Sequence, residues 1–275
     1  MNFQIIYYEE IDSTNSEAWR LIDLDPPQSP LRRGKNIFSP LLKGGWGGSL
    51  ESNNIPDNLG VHSSSYGSVI ISKRQTKGRG QRGNSWQSDL GGLFMSVILQ
   101  PNLAAADAHQ ITLWTAWGIA KALNETGANV KLKWLNDLLI DRRKLGGILT
   151  ETRIEAGKIR YAVVGLGLNW TNEVPEGGIA LAELPTTLSS MDELIEVVLS
   201  GIELGQTRSD REGLTGILAE YLQMLSDKNV RKTIDGRELQ GQIIDIRPTG
   251  ELVVRWEGNS QESIYQPQNF SVGYQ

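Results

Sequence analysis

Three strand-like segments follow one another between residues 130 and 168, and this run limits the possible folds more than any other part of the chain. Residues 130–134, 144–152 and 159–168 are rich in aliphatic and β-branched side chains. A tight turn at 155–158 joins the last two segments. Strands that follow one another across short turns pair antiparallel. The sequence therefore predicts a mostly antiparallel sheet.

Helical periods on either side of this run predict an α+β fold in which helices cover the sheet. Further strands are expected from apolar, β-branched segments at 3–8, 68–72 and 92–99. Helices are expected from apolar residues at helical spacing over 16–22, 104–126, 191–204 and 211–225.

The hydrophobic period changes near Lys228, which predicts two domains. Residues 229–275 alternate apolar and polar side chains between turn signals, a pattern typical of a small barrel. We therefore expect a main domain over 1–228 and a small β domain over 229–275. Within the main domain, residues 29–68 are rich in Gly, Ser, Pro and Asn and predict a flexible insertion.

Composition excludes several kinds of chemistry. The 275 residues include no cysteine and two histidines, so the chain cannot build a Cys/His dyad, a Cys-rich zinc site or a three-His metal site. Apolar runs stay far below the ~20 residues that cross a bilayer, and the N-terminus has no signal-peptide pattern. We expect a cytoplasmic protein that contacts no membrane. Any catalysis should rest on positioning and electrostatics rather than on a protein nucleophile.

A basic, glycine-rich segment carries the strongest local signal. Between Lys73 and Trp86 the chain places five cations and three glycines directly after a strand. Glycines let the backbone approach a ligand, and arginine offers a planar fork of donors to phosphate or carboxylate. An anion cradle is one interpretation, and a solvated basic loop or an RNA-binding patch is the other. The pI of about 5.3 argues against a nucleic-acid surface, so no nucleic-acid partner is expected.

Two further segments place polar groups where strands should be apolar. Asn136 and Asp137 interrupt an apolar stretch, which fits either a turn or a polar ligand. Lys144 opens the next strand, in which Gly146-Gly147 would let a ligand approach the backbone. These groups suit a triphosphate, with Mg²⁺ on Asp137 and with Lys144 neutralising charge between a carboxylate and an α-phosphate. The Gly-x-Gly pair within 164–169 is a weaker nucleotide signal.

Taken in chain order, five motifs resemble those of the biotin–protein ligase family. They are Ser13-Thr14-Asn15, Gln75-Thr76-Lys77-Gly78-Arg79-Gly80, Lys133-Trp134-Leu135-Asn136-Asp137, Lys144-Leu145-Gly146-Gly147-Ile148-Leu149 and Gly165-Leu166-Gly167-Leu168-Asn169. The similarity is strong over residues 5–170 and looser over the C-terminal segment. Because five motifs occur in the family's order, the resemblance is specific.

This resemblance implies a class II synthetase-like catalytic domain with a small SH3-like C-terminal barrel. The implied reaction converts biotin and ATP, with Mg²⁺, to biotinyl-5′-AMP and pyrophosphate. Biotin then passes to a lysine of the biotin carboxyl carrier protein of acetyl-CoA carboxylase. A monomer or a homodimer would be consistent with the family. Because Ser13 lies so near Met1, we expect the form that lacks an N-terminal DNA-binding domain and has no repressor function.

Carried over residue by residue, the resemblance implies three overlapping sets of site residues. Biotin would contact Ser13, Thr14, Asn15, Gln75, Gly78, Arg79, Gly80, Gln81, Lys144 and Gly147. The nucleotide would contact Arg82, Trp86, Trp134, Asn136 and Asn169. Catalysis would rest on Lys144, Arg79 and Asp137, and Asp137 would also be the Mg²⁺ ligand.

One departure from the family pattern bears on function, and alternatives stay open. Many members carry a third arginine where this chain has Gln81, so the adenylate would be held less firmly or with the help of Arg82. A lipoate or octanoyl ligase of the same fold is one alternative. A non-catalytic small-molecule sensor or an RNA-binding protein that uses the basic loop is another.

Overall fold

The computed structural model describes residues 3–24, 66–234, 237–258 and 262–266. Most of the expected insertion, residues 29–65, lies outside them. The helices are α1 (Thr14–Leu24), α2 (His109–Glu125), α3 (Met191–Glu212) and α4 (Thr215–Met224). The strands are β1 (Gln4–Ile11), β2 (Ser68–Gln75), β3 (Leu93–Leu99), β4 (Lys131–Lys133), β5 (Asp137–Ile140), β6 (Arg143–Glu155), β7 (Lys158–Leu168), β8 (Asn229–Ile234), β9 (Arg237–Ile246), β10 (Leu252–Trp256) and β11 (Glu262–Tyr265).

Seven strands form one large sheet in the order β1-β2-β3-β7-β6-β5-β4. Every neighbouring pair is antiparallel except β1 and β2, which run parallel. A parallel pair needs a crossover connection, and α1 lies in the connection between these two strands. The expected mostly antiparallel sheet of an α+β fold is therefore confirmed.

Helices cover both faces of this sheet, because alternate residues of its strands point to opposite sides. On β2, Ile70 packs with Ala18 and Ile22 of α1, whereas its neighbours Val69 and Ile71 belong to the core on the other face. That second core contains α2, which is buried around most of its surface. The expected covering of the sheet by helices is thus confirmed, with α1 on one face and α2 on the other.

Three sequence predictions were wrong in detail. The strand expected at 130–134 is the short β4, and a turn at 134–136 leads into β5, which the sequence reading missed. The helix expected to end at Leu204 continues to Glu212, and the next helix begins at Thr215 instead of Arg211. Gly205 does not end α3, because it lets the helix pack tightly against α2: a Cβ there would lie 2.2 Å from the Trp114 carbonyl oxygen.

The C-terminal strands form a second, four-stranded antiparallel sheet in the order β11-β10-β9-β8. The strands expected in this C-terminal segment are therefore confirmed, and its division from the main domain stays a prediction. Ile243, Leu252 and Trp256 belong to the same apolar cluster as the core of the large sheet. The second sheet therefore packs directly on the main body. Among the described helices, none combines the length and hydropathy needed to cross a bilayer.

Helices α2 and α3 approach each other so closely that their glycines should tolerate no side chain. A Cβ on Gly118 would lie 2.0 Å from the Gly201 carbonyl oxygen, and backbone cannot swing away as a side chain can. Gly118→Ala should therefore lower the free energy of unfolding by about 1–3 kcal/mol, the usual cost of overpacking. Urea unfolding measures this.

Ser200→Ala is the matched control, because Ser200 is exposed on α3 next to Gly201. Its free energy of unfolding should stay within about 0.5 kcal/mol of the starting value, as for most surface substitutions. Equal stability of Gly118→Ala and the unaltered protein would show that the two helices can separate at little cost.

Candidate functional site

Glycines on β6 and β7 form the floor of the site. The register pairs Gly147 with Gly167 and Leu149 with Gly165. A Cβ on Gly165 would lie 2.1 Å from Asn15 Oδ1, and one on Gly167 would lie 2.4 Å from Trp86 Nε1. The missing side chains therefore leave room for Asn15 of α1 and for Trp86 to lie directly on the strands.

An open cavity of about 480 Å³ lies over this floor. All five sequence motifs contribute to its wall. The lining residues are Ser13, Thr14, Asn15, Gln75, Arg79, Gly80, Gln81, Trp86, Asn136, Lys144, Gly147, Ile148, Leu149, Gly165, Leu166 and Gly167. The fold thus brings residues that lie far apart in the sequence to one place.

The start of α1 is held in the cavity by a buried polar network. The Thr14 backbone N–H donates to Gln75 Oε1 at 2.8 Å. Ser96 Oγ lies 2.8 Å from Thr14 Oγ1 and 2.6 Å from Asn15 Oδ1. Gln75 Nε2 donates in turn to Ser88 Oγ at 2.8 Å. Because Thr14, Asn15 and Ser96 are almost fully buried, these bonds fix the side chains before any ligand arrives.

The basic segment after β2 folds into a closed turn over the cavity. The Gly80 N–H donates to the Asn84 carbonyl at 2.7 Å, and the Trp86 N–H donates to the Gly78 carbonyl at 2.9 Å. A Cβ on Gly78 would lie 2.3 Å from the Trp86 carbonyl oxygen, so this position needs glycine. We call residues 77–86 the basic loop.

Both cations that line the cavity are paired with carboxylates. Lys144 Nζ lies 2.9 Å from Asp137 Oδ1 and 5.3 Å from the centroid of the Trp86 ring. Arg79 makes a two-pronged contact with Glu151, donating at 2.9 Å and 2.8 Å. An anion that enters the cavity therefore meets two fixed cations whose charge is already partly balanced.

Five of the expected site residues lie outside the cavity lining. Trp134 is buried, and its Nε1 finds no hydrogen-bond partner among the described residues. Asn169 Nδ2 donates to the Lys144 carbonyl at 3.3 Å, so it steadies the backbone that carries Lys144. Asp137 reaches the cavity through its ion pair with Lys144. Gly78 and Arg82 lie in the basic loop itself.

Two residues of the site were not predicted from the sequence. Ser96 interrupts the otherwise apolar strand β3, and a buried polar residue in such a run could have signalled its role. Glu151 follows the Lys144 motif on β6, but its position on the strand gives no hint that it meets Arg79. That contact depends on how the basic loop folds back over the sheet.

The residues around Asp137 offer a divalent cation one carboxylate. Throughout the part of the chain that the structure describes, no group of three or more His, Cys, Asp or Glu side chains could hold a metal ion. Mg²⁺ commonly takes one or two carboxylates and completes its shell with phosphates and water. Asp137, already shared with Lys144, fits a cation that arrives with a nucleotide better than a permanently bound one.

Lys133 lies on β4 directly opposite Asp137. Burial of its ammonium group lowers the pKa of Lys133 to about 8, Asp137 opposes this shift, and the charge of Lys144 adds to it. Desolvation disfavours a charged amine, and the nearby carboxylate only partly compensates. The region therefore holds a third cation whose charge is weaker than that of an ordinary lysine at pH 8.

Part of the chain is similar to a known family. Residues 49–169 match the model of the biotin/lipoate A/B protein ligase family. This part of the chain is therefore similar to that family.

Relatives and solved structures are similar to larger parts of the chain. The bifunctional ligase/repressor BirA of Bacillus subtilis is 32% identical over 142 residues, which cover 51% of this chain and 41% of that protein. BirA of Salmonella typhimurium is 29% identical over 257 residues, or 88% of this chain and 76% of that protein. The biotin protein ligase from Aquifex aeolicus in complex with biotin and ATP shares the fold, with a TM-score of 0.62, 22% identity and coverage of 96% and 99% of the two chains.

Lys133 should make stability depend on pH. The folded protein releases the Lys133 proton near pH 8, whereas the ordinary value is 10.5. Between these two pH values the unfolded chain binds more protons than the folded protein, so the free energy of unfolding rises with pH. This gain in stability from Lys133 is lost again as the pH falls towards 8. Lys133→Met should lose this rise, which urea unfolding at pH 7 and pH 10 in the presence of EDTA measures.

Lys158→Met is the control, because Lys158 is exposed at the start of β7. It should keep the pH dependence of the unaltered protein. A Lys133→Met variant with that same dependence would contradict the prediction.

Proposed function

We propose that this protein is a biotin–protein ligase. In the proposed first step, the biotin carboxylate attacks the α-phosphate of ATP to give biotinyl-5′-AMP and pyrophosphate. In the second step, a lysine amine of a biotin carboxyl carrier protein attacks the acyl carbon and releases AMP. The observation that carries this proposal is that Arg79 and Lys144 line one cavity together with the polar start of α1.

The cavity suits a reaction between two anions. A carboxylate and a triphosphate repel each other, so fixed cations and correct alignment can lower the barrier without a protein nucleophile. Backbone hydrogen bonds to Gly177 and Ile179 hold Lys144 at the start of β6. We propose that the Lys144 ammonium group neutralises the negative charge that grows on the α-phosphate. Arg79 would donate hydrogen bonds to the carboxylate and phosphate oxygens.

The buried network at the start of α1 supports a biotin subsite. Ser13, Thr14, Asn15 and Gln75 offer hydroxyl and amide groups to a cavity whose lining also includes the apolar Ile148, Leu149 and Leu166. Such a mixture suits a small ring system with a polar ureido group and an aliphatic tail. Gly78, Gly80, Gln81 and Gly147 would complete this part of the site.

The nucleotide would occupy the side of the cavity formed by Trp86 and Asn136. Arg82, Trp134 and Asn169 are assigned to the same subsite by resemblance. None of them lines the cavity: Trp134 and Asn169 are buried, which favours a supporting role, and Arg82 is exposed in the basic loop. Mg²⁺ would bind Asp137 together with nucleotide phosphates. When bound, it would neutralise phosphate charge.

The carrier protein, the biotin carboxyl carrier subunit of acetyl-CoA carboxylase, is the proposed acceptor. The chain spans about 41% of the length of the Bacillus relative that it matches, so the activity and the partner are inferred from the cavity and the family together. The cytoplasmic location expected from the sequence stays a prediction.

The decisive experiment follows both steps with the purified protein. With biotin, ATP and Mg²⁺ the protein should release pyrophosphate, and it should transfer labelled biotin to a purified carrier domain. Lipoic acid and octanoic acid in place of biotin test the related ligase activity. Biotin binding without pyrophosphate release would indicate a sensor, and preference for lipoic or octanoic acid would assign the chain to the other branch of its family.

Lys144→Ala should greatly slow the first step and leave the fold intact. The ammonium group meets charge that develops in the transition state, and loss of one such group commonly lowers kcat by about 10²–10³-fold. Pyrophosphate release with biotin, ATP and Mg²⁺ measures the effect. Lys158→Ala, far along the sheet, is the control and should keep full activity. Unchanged pyrophosphate release in Lys144→Ala would remove this residue from the mechanism.

A further inference from the structure

One carboxylate on β6, that of Glu151, connects three side chains around the cavity. Glu151 Oε2 accepts from Asn15 Nδ2 at 2.9 Å and from Trp19 Nε1 at 3.1 Å, both on α1. Its two oxygens also accept from Arg79 of the basic loop at 2.9 Å and 2.8 Å. Helix, loop and sheet therefore meet at a single acidic group.

Glu151 itself does not line the cavity, whereas Asn15 and Arg79 do. The hydrogen bonds of this carboxylate therefore reach the cavity through those two side chains. We propose that Glu151 is a positioning residue that sets the orientation of Asn15 and Arg79 in the site. This inference rests on the proposed function.

For Arg79, the two-pronged contact fixes the plane of the guanidinium group. Two of its five N–H donors point to Glu151, and the other three stay available in a direction set by the fork. The basic loop is rich in glycine and has little stiffness of its own, whereas β6 lies inside the sheet. Glu151 thus ties a deformable loop to a rigid strand at the residue whose charge the reaction needs.

For Asn15, the contact with Glu151 fixes the orientation of the side-chain amide. Nδ2 donates to Glu151 and lies 3.3 Å from the Leu149 carbonyl, whereas Oδ1 lies 2.6 Å from Ser96 Oγ. Gly165 lies directly beneath the amide. A carboxylate only accepts, so the flipped amide would place its oxygen against a second acceptor and lose the bond to Glu151.

Exposure separates this positioning role from a purely structural ion pair. The side chains of Arg79 and Glu151 are 42% and 27% exposed. Partly exposed pairs contribute little to global stability. If the pair were only structural, breaking it would change the stability of the protein little and ligand binding not at all. If the pair positions site residues, breaking it should strongly affect the basic loop and ligand binding.

Glu151→Gln keeps the shape of the side chain but replaces one acceptor with a donor and removes the charge. We expect a nearly unchanged melting temperature. The backbone amides of residues 78–86 should exchange with solvent faster in the ligand-free protein. The KM for biotin in pyrophosphate release should rise about ten- to hundredfold, the range expected for losing charge-assisted hydrogen bonds.

Glu155→Gln is the matched control, because Glu155 lies on the same strand, is 56% exposed and pairs with Arg160 at 3.7 Å. It should change neither the amide exchange of the loop nor the KM. Arg79→Gln breaks the contact from the other side, so it should speed loop exchange as Glu151→Gln does. The double variant should add little to either single change in exchange rate.

The two readouts keep this inference separate from the proposed function. Loop exchange is measured without any substrate, so unchanged exchange in Glu151→Gln overturns the positioning role whatever the activity. An unchanged KM for biotin in an active Glu151→Gln protein overturns it as well. Failure of the unaltered protein to release pyrophosphate from biotin and ATP would instead refute the ligase proposal.

Discussion

The antiparallel pairing of β6 with β7 is the constraint on which the site depends. Its register places Gly147 opposite Gly167 and Leu149 opposite Gly165, which clears side chains from one patch of the sheet. Asn15 and Trp86 then settle onto the bare backbone from two different directions. A slip of one residue would put aliphatic side chains under both of them and close the cavity. The position of the site thus depends on the pairing of these two strands.

Charge balance is the second organising principle. Lys144 faces Asp137 and Arg79 faces Glu151, so each cation on the lining has a carboxylate from the sheet. Pairing lowers the cost of keeping charged groups in a partly dry cavity. It also means that an anionic ligand competes with built-in carboxylates, which reduces the affinity for arbitrary anions. A ligand that contacts both cations gains more binding free energy than a ligand that contacts only one of them.

The sequence predicted the α+β fold and most of the polar residues that line the cavity, because both follow from local patterns. Strand periods and five ordered motifs are visible without knowledge of tertiary contacts. The predictions from the sequence were wrong where long-range packing overrides local signals. Gly205 resembles a helix end but serves close contact with Trp114, and the turn before Asp137 splits one apolar stretch into two strands. Glu151 could not be found, since its partners lie on elements that only the folded chain brings near. The expected domain boundary and the roles of individual site residues stay predictions.

The contact between the two sheets has a consequence for how the protein loses its structure. A Cβ on Gly250, in the turn before β10, would lie 2.4 Å from the His109 ring at the first residue of α2, so the turn rests on the helix without a gap. The apolar side chains of β9 and β10 continue the interior that surrounds α2. Heating should therefore melt the whole described body in one cooperative transition. Cutting the chain after α4 would strip the cover from the buried start of α2 and produce an aggregation-prone fragment in place of a smaller stable domain.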